Sequence, residues 1–277
     1  METPKKFAIT PELDKIARID RLVAFHPTRI GTPATLSKNQ VAAYNSNGFL
    51  RGFQIFSDAE ILDIRSRFDV LLDEVTRAGG DSYSISSAHL KYADAYDLLT
   101  DDRIVSYVSD LLGENVIGWG SHYFCKMPHD GKSVSWHQDA SYWPLTPTKT
   151  VTVWLAIDDA DAENACMRFV RGSHLRGQIE FEAVDNDESK VLNQSVNDPE
   201  RFGETVDDVL RAGEISLHSD LLLHGSEANN SSRRRCGLTL RYCAAEVRAH
   251  LDWNLKGVVG RGTDRDGHWA NPPRPVA

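Results

Sequence analysis

The hydrophobic positions of this chain change period once along its length. In the first part they recur every three or four residues. In "FSDAEILDIRSRFDVLLDEVTRAGG", Ile61, Ile64, Phe68, Leu71, Leu72 and Val75 form one stripe, the spacing of a helix with a single buried face. Ser57 with Glu60 three residues on makes a capping box at its start, and Gly79–Gly80 ends it. "TLSKNQVAAYNSNGF" carries the same signals on a shorter scale: Ser37 as N-cap, Gln40 three residues later and Gly48 as the stop. Between these helices "FLRGFQIF" (49–56) reads as a strand, and about 101–112, ahead of Gly113, as a further helix. Residues 1–36 show no clear period and read as an arm draped over the domain.

Beyond this the pattern becomes that of strands. The candidates are "NVIGWGSHYFCKM", "VSWHQD", "KTVTVWLAID", "CMRFV", "GEISLHS", "LLLHGS" and "RCGLTLRYC". Helices first and short strands afterwards predict one α+β domain over residues 1–277, mainly β, with a sandwich or barrel carrying the site. A polar segment, 178–209, interrupts the strands and holds ten acidic residues between Glu180 and Asp208. It reads either as a solvated surface insertion or as a lid over a pocket mouth. The C-terminal "GVVGRGTDRDGHW" is Gly-rich and charged and reads as a loop bordering the pocket.

Composition narrows the class. With 41% hydrophobic and 26% charged residues the chain is an ordinary globular protein, long enough to bury a core without disulfides. A net charge of -9 and the lack of any basic tract beyond Arg233–Arg235 argue against nucleic-acid or membrane-surface partners. No stretch of about 18 apolar residues is present and the N-terminus has no apolar signal core, so a cytoplasmic location is expected. The four cysteines, Cys125, Cys166, Cys236 and Cys243, form no C-x-x-C pair and read as free buried thiols.

Candidate chemistry begins at "SVSWHQDASYWP". His137 and Asp139 stand two apart, so on a strand both face the same way and can reach one ion. A third ligand must come from elsewhere. His224, in "LLLHGSEANNSS", and His218, in "SLHSD", both lie at strand ends, and either could instead be a hydrogen-bonded structural histidine. On "RRCGLTLRYC", Cys236, Leu238, Leu240 and Tyr242 share an apolar face, while Arg235, Gly237, Thr239 and Arg241 share the other. That second face is either exposed or the anion-binding interior of a barrel. In "KTVTVWLAID", Thr150, Thr152, Trp154 and Ala156 make a small polar face with one indole, which suits a ligand cavity. Two histidines and a carboxylate on one side of a metal leave the other side open, the facial set of non-haem iron oxygenases. A keto acid chelating there needs a fixed cation for its far carboxylate, and Arg235 is placed for it.

In these residues the chain resembles the phytanoyl-CoA dioxygenase family of iron(II)- and 2-oxoglutarate-dependent oxygenases, over roughly residues 40–245. The family's H-Q-D and Y-x-P pattern resembles His137, Gln138, Asp139, Tyr142 and Pro144. Its distal H-G-S with a following Asn resembles His224, Gly225, Ser226 and Asn229, and its arginine eleven residues on falls on Arg235. This register favours His224 over His218. The resemblance implies a double-stranded β-helix (jelly-roll, cupin-like) barrel backed by N-terminal helices. It also implies Fe(2+) on His137, Asp139 and His224, with 2-oxoglutarate as cosubstrate, O2 as oxidant and ascorbate as an aid. Ser226 and Arg235 would hold the C5 carboxylate, with Trp154 packed near it, and Lys126, which resembles a lysine that precedes the family's H-x-D strand, is counted with these cofactor-binding residues. Halogenating relatives carry a small residue at the position of Asp139, so its presence implies hydroxylation of an unactivated C–H, with release of succinate and carbon dioxide.

The substrate expected is a small anionic or zwitterionic molecule, such as an aminoalkylphosphonate or a carboxylate, met by Arg241, Tyr142 and His122. The alternatives are an acyl-CoA or natural-product hydroxylase of the same family, a zinc-dependent hydrolase on the same three ligands, and a non-catalytic metabolite-binding barrel.

Overall fold

The computed structural model describes residues 11–83, 85–184 and 189–276. Residues 1–10 of the expected arm and 185–188 of the expected polar insertion lie outside the described residues. The helices are α1 (Leu13–Ala17), α2 (Lys38–Asn47), α3 (Asp58–Arg77), α4 (Ala93–Leu99) and α5 (Asp102–Leu112). The strands are β1 (Phe49–Gln54), β2 (Val116–Lys126), β3 (Val134–His137), β4 (Leu145–Thr146), β5 (Thr150–Ala156), β6 (Arg168–Val170), β7 (Glu182–Ala183), β8 (Gln194–Ser195), β9 (Thr205–Asp207), β10 (Glu214–Ser219), β11 (His224–Ser226), β12 (Arg235–Ala244), β13 (Arg248–Ala249) and β14 (Val258–Arg261).

Both capping boxes form: the side chain of Ser37 accepts from the Gln40 amide and that of Ser57 from the Glu60 amide. Gly48 ends α2 at φ 86°, a left-handed turn open to glycine at little cost. The stripe on α3 buries Ile61, Phe68, Leu71 and Leu72, each burial stabilising by about 1.5–3 kcal/mol. Helices α1 and α4 carry no periodic signature; at five and seven residues they are too short to show one.

Ten of these strands make two facing antiparallel sheets, a jelly-roll barrel, while β4 with β13 and β7 with β8 form two-stranded pairs. The major sheet runs β1-β10-β5-β12-β2-β14 and the minor sheet β3-β11-β6-β9. The apolar face of β12 packs outward on the helices, joining Phe68, Leu99, Ile104, Val105 and Val108 in one core. Tyr242 Oη donates to the Leu99 carbonyl at 3.0 Å. Its other face, with Arg235, Thr239 and Arg241, looks across at the minor sheet, so the reading of that face as exposed is overturned: the helix layer already occupies the outside.

Three further sequence readings are corrected. Strand β3 stops at His137, and Asp139 opens a 3-10 turn (Asp139–Ser141). Gln138 is still extended (φ -110°, ψ 129°), so Asp139 continues in the direction of His137. Part of the C-terminal segment read as a loop is β14, paired antiparallel with β2. The polar segment 178–209 is not wholly solvated: Val196 and Gln194 are buried and β9 pairs with β6 in the minor sheet.

Candidate active site

Strand register assembles the centre. His224 on β11 is the direct cross-strand partner of His137 on β3, so their rings lie side by side with centroids 4.1 Å apart. Each ring is oriented from its own chain. His137 Nδ1 donates to the Ser135 carbonyl at 2.8 Å and His224 Nδ1 to the Leu222 carbonyl at 2.9 Å. Both rings therefore present the lone pair of Nε2 to the interior, the tautomer a metal requires. Ligand atoms of His137, Asp139 and His224 lie within 4.8 Å of one another, and all three residues are buried. Burial, and then the neighbouring His137, hold the His224 imidazole well below its ordinary range, so it is neutral at physiological pH and free to ligate. Burial alone would raise the Asp139 carboxyl. The neighbouring imidazoles of His137, His218 and His224, and the charge of Arg241, outweigh it and hold the group well below the usual carboxylate range.

A row across the major sheet backs the carboxylate. On β10, β5 and β12 the register aligns His218, Thr152 and Arg241. Thr152 Oγ1 donates to Asp139 Oδ2 at 3.3 Å, and His218 Nε2 stands 3.8 Å from the same oxygen. Asp139 Oδ1 lies 3.7 Å from His137 Nε2. His218 therefore sits beside the cluster rather than in it.

Arg235 opens β12 immediately past the turn after His224. It is 3% exposed; Nη2 donates to Ser226 Oγ at 3.3 Å, the guanidinium lies 5.6 Å from the Trp154 ring, and the buried Nε has no partner. Ser226, Trp154 and Arg235 line one narrow cavity with His137, Asp139 and His224. Gly237 is required there, since a Cβ would fall inside the Trp154 indole.

Lys126 does not line that cavity. It pairs with Arg235 across β2 and β12, but its amine donates to the Lys132 carbonyl at 3.0 Å and to the Glu227 carbonyl. Burial, and then Arg235, bring this amine down to about 7. Its geometry is that of a clamp on the loop after β11, which explains why a long-range backbone contact was invisible in the sequence.

The expected substrate residues border a second, larger cavity of about 430 Å³, which shares His137, Asp139 and Arg241 with the narrow one. Tyr142 and His122 line it, the Tyr142 ring edge-on to His137 at 5.9 Å. Burial, and then Arg241, lower the His122 imidazole to about 3, so it enters as a neutral group.

Several contributors escaped the sequence reading. Gln138 turns away from the cluster and staples two loops: Nε2 donates to the Gly177 carbonyl at 2.9 Å and the Leu221 carbonyl at 2.6 Å, and Oε1 accepts from the Ile179 amide at 2.7 Å. Arg21, from the N-terminal arm, donates to the carbonyls of Ala140 and Trp143, both at 2.7 Å, behind Asp139. Lys256 and Trp253 enter the larger cavity from a 3-10 turn (Trp253–Lys256). The H-Q-D stretch held the only usable signal, a glutamine flanked by two candidate ligands.

Comparison with known proteins places these features in context. The profile of the phytanoyl-CoA dioxygenase (PhyH) family matches residues 44–237. A Stutzerimonas stutzeri protein named "Probable alpha-ketoglutarate-dependent hypophosphite dioxygenase" is 31% identical over 181 residues, 64% of this chain and 61% of that protein. The peroxisomal phytanoyl-CoA dioxygenase of Bos taurus is 24% identical over 254 residues, 82% of this chain and 75% of that one. Among solved structures, the non-heme monooxygenase ThoJ in its apo form superposes with a TM-score of 0.71 at 26% identity, covering 85% of this chain and 88% of that one. No helix among the described residues is long and apolar enough to cross a membrane.

Proposed function

The chain belongs to the phytanoyl-CoA dioxygenase family of iron(II)- and 2-oxoglutarate-dependent oxygenases, and from that premise we propose that it hydroxylates an unactivated C–H bond of a small anionic or zwitterionic molecule. One observation carries the reading. Two imidazoles with Nδ1 tied to backbone carbonyls turn Nε2 toward a buried carboxylate, beside a buried arginine with an unpartnered donor.

The donor set fits iron(II): two neutral nitrogens and one carboxylate, held on one side. His137, Asp139 and His224 are the proposed ligands. When bound, iron(II) and 2-oxoglutarate supply the oxidising chemistry, turning dioxygen and the keto acid into succinate, carbon dioxide and a hydroxylated product. The chain's own work is positioning. Thr152, with His218 alongside, holds Asp139 Oδ2, which leaves Oδ1 for the metal. Arg235 and Ser226 receive the far carboxylate of the keto acid, with charge-assisted hydrogen bonds in a site shielded from water. Trp154 forms the wall beneath the guanidinium. The space there is narrow, and widening it falls to Met167, whose unbranched side chain lines it and adapts at low cost. The 430 Å³ cavity, bordered by Arg241, Tyr142 and His122, receives the substrate on the side of His137 and Asp139 that does not reach Arg235.

An anionic substrate is supported by Arg241, whose buried Nε lacks a partner, and by the Stutzerimonas stutzeri relative, whose name specifies a small oxyanion. The test is succinate formation from 2-oxoglutarate with iron(II), ascorbate and air, against a panel of anionic metabolites and acyl-CoAs. Turnover stimulated by one class of panel member supports the reading. Absence of keto-acid turnover together with zinc-dependent hydrolysis refutes it.

A further inference from the structure

Resting on the dioxygenase reading, we propose that Arg21 of the N-terminal arm is a positioning residue for the metal centre: it fixes the turn 139–143 and so aims the Asp139 carboxylate at the ion.

Asp139 stands at a junction. Strand β3 ends at His137, the chain turns through Asp139–Ser141 into Tyr142 and Trp143, and all five residues 139–143 are buried. A carbonyl in such a turn is cut off from water and needs a donor from the protein. Neighbouring amides supply some: that of Tyr142 donates to the Asp139 carbonyl at 3.0 Å and that of Leu145 to the Trp143 carbonyl at 2.8 Å. Among the described residues the Ala140 carbonyl has only Arg21, whose Nη1 donates to it and to the Trp143 carbonyl, both at 2.7 Å. The Ala140 amide in turn donates to the Asp220 carbonyl at 2.9 Å. The two peptide groups that follow Asp139 are thus held from outside the turn, one by the segment between β10 and β11 and the other by the arm.

Attachment of the arm does not account for this arginine. The arm is already bonded along 146–148. The Leu22 amide donates to Thr146 Oγ1 at 2.9 Å and the Ala24 amide to Thr148 Oγ1 at 3.0 Å. In return the Thr148 amide donates to the Leu22 carbonyl at 3.1 Å and its hydroxyl to the Ala24 carbonyl at 2.8 Å. That ladder fixes the backbone beside Arg21 and leaves its guanidinium to bridge two carbonyls three residues apart. One nitrogen makes both bonds, so the position calls for a point donor more than for a planar fork.

Asp139 is therefore held at both ends. Thr152 donates to Oδ2 at the carboxylate, while Arg21 and Asp220 hold the backbone that carries it. Without Arg21 the Ala140 carbonyl becomes a buried acceptor with no donor, and the turn rotates to find one, carrying Asp139 with it. Losing an outer partner of a metal ligand costs roughly 10- to 100-fold in metal affinity.

The experiment reads metal affinity by calorimetry with Mn(II), and the backbone of the metal-free protein by hydrogen exchange across 139–143. Arg21→Met keeps the stem and removes the donor. It should raise the Mn(II) Kd by about 10-fold or more and speed exchange across the turn. Arg21→Lys returns a point donor and should stay within about threefold of wild type on both readings. Arg65→Met is the matched control: Arg65 also donates to a backbone carbonyl, that of Ile157 at 2.8 Å, but from α3 on the outer side of the barrel. Its loss should leave Mn(II) affinity within about threefold. Unchanged affinity or unchanged exchange in Arg21→Met overturns the proposal. So does a lysine variant as weak as the methionine one, or an equal loss in Arg65→Met. Should Arg21→Met fail to fold, Arg21→Gln takes its place in the same readings. Wild-type protein that binds Mn(II) but forms no visible iron–keto-acid absorption would overturn the dioxygenase reading instead, and the Mn(II) affinities would still decide the role of Arg21.

Discussion

Replacing Arg235 with methionine separates binding from stability. The residue is 3% exposed, and in the protein alone its charge is offset by one hydrogen bond to Ser226 and one contact with the Trp154 ring. Such contacts return about 1–2 kcal/mol, against a desolvation cost of several kcal/mol for a buried ion. Arg235→Met has similar length and no charge, so the ligand-free protein should be unchanged or more stable, by about 1–3 kcal/mol. The cosubstrate tells the opposite story. A buried charged pair lost from one side costs about 3–5 kcal/mol, so the 2-oxoglutarate Kd should rise by roughly 10² to several times 10³. Thermal unfolding with Mn(II) in place of iron reads both effects. At about 100 times its Kd, 2-oxoglutarate should stabilise the wild type by about 2.7 kcal/mol, a rise of roughly 5–10 °C. At the same concentration the variant should gain under about 0.5 kcal/mol. A full ligand-induced shift in Arg235→Met would refute the assignment of this guanidinium. Loss of more than about 3 kcal/mol from the ligand-free variant would refute the argument that its charge is uncompensated.

Asp139→Ala leaves two imidazoles for the metal, and succinate formation should fall by more than the roughly 10- to 100-fold typical of losing an outer partner of a ligand; full turnover, with iron content measured alongside, would remove Asp139 from the set. Gly237→Ala drives a methyl group into the Trp154 indole, and denaturant unfolding should report a loss of about 1–3 kcal/mol; a wild-type midpoint would mean the ring yields freely. Burial lowers folded His89 from 6.5 to about 4, so between those values the unfolded chain holds the extra proton and stability falls as the pH drops. This one ring should contribute about 1.4 kcal/mol per pH unit in that window, and urea unfolding of His89→Gln from pH 7 to 4.5 should show a shallower decline than wild type.

What could be read in advance followed how local each signal is. The spacing of His137 and Asp139 works because Gln138 keeps the backbone extended, a property of three neighbouring residues. Alternation on β12 sorted Arg235 and Arg241 from Leu238 and Leu240, but could not say which face was inside, because both are covered in a barrel backed by helices. By strand position alone His218 and His224 looked equivalent and only the family pattern favoured His224, because pairing across sheets is not written locally: His224 pairs with His137 in the minor sheet, while His218 lies in the major sheet beside Thr152. Lys256 lay in a stretch without period, and its arrival at the cavity depends on β14 pairing with β2, far away in sequence. Lys126 shows the converse case. Its family resemblance suggested a cofactor contact, and two backbone carbonyls had already claimed its amine.

Each imidazole of the centre takes its orientation from the peptide two residues before it, and the groups bordering the larger cavity include residues on β12 and the turn at 253–256. Under the proposed function the two cavities meet at His137, Asp139 and Arg241, while the wall at 253–256 comes from an element that supplies none of the proposed metal ligands. Rebuilding the wall at Trp253 or Lys256 can redirect the enzyme to new compounds while leaving its reactive heart intact, which makes this scaffold a ready starting point for retargeting.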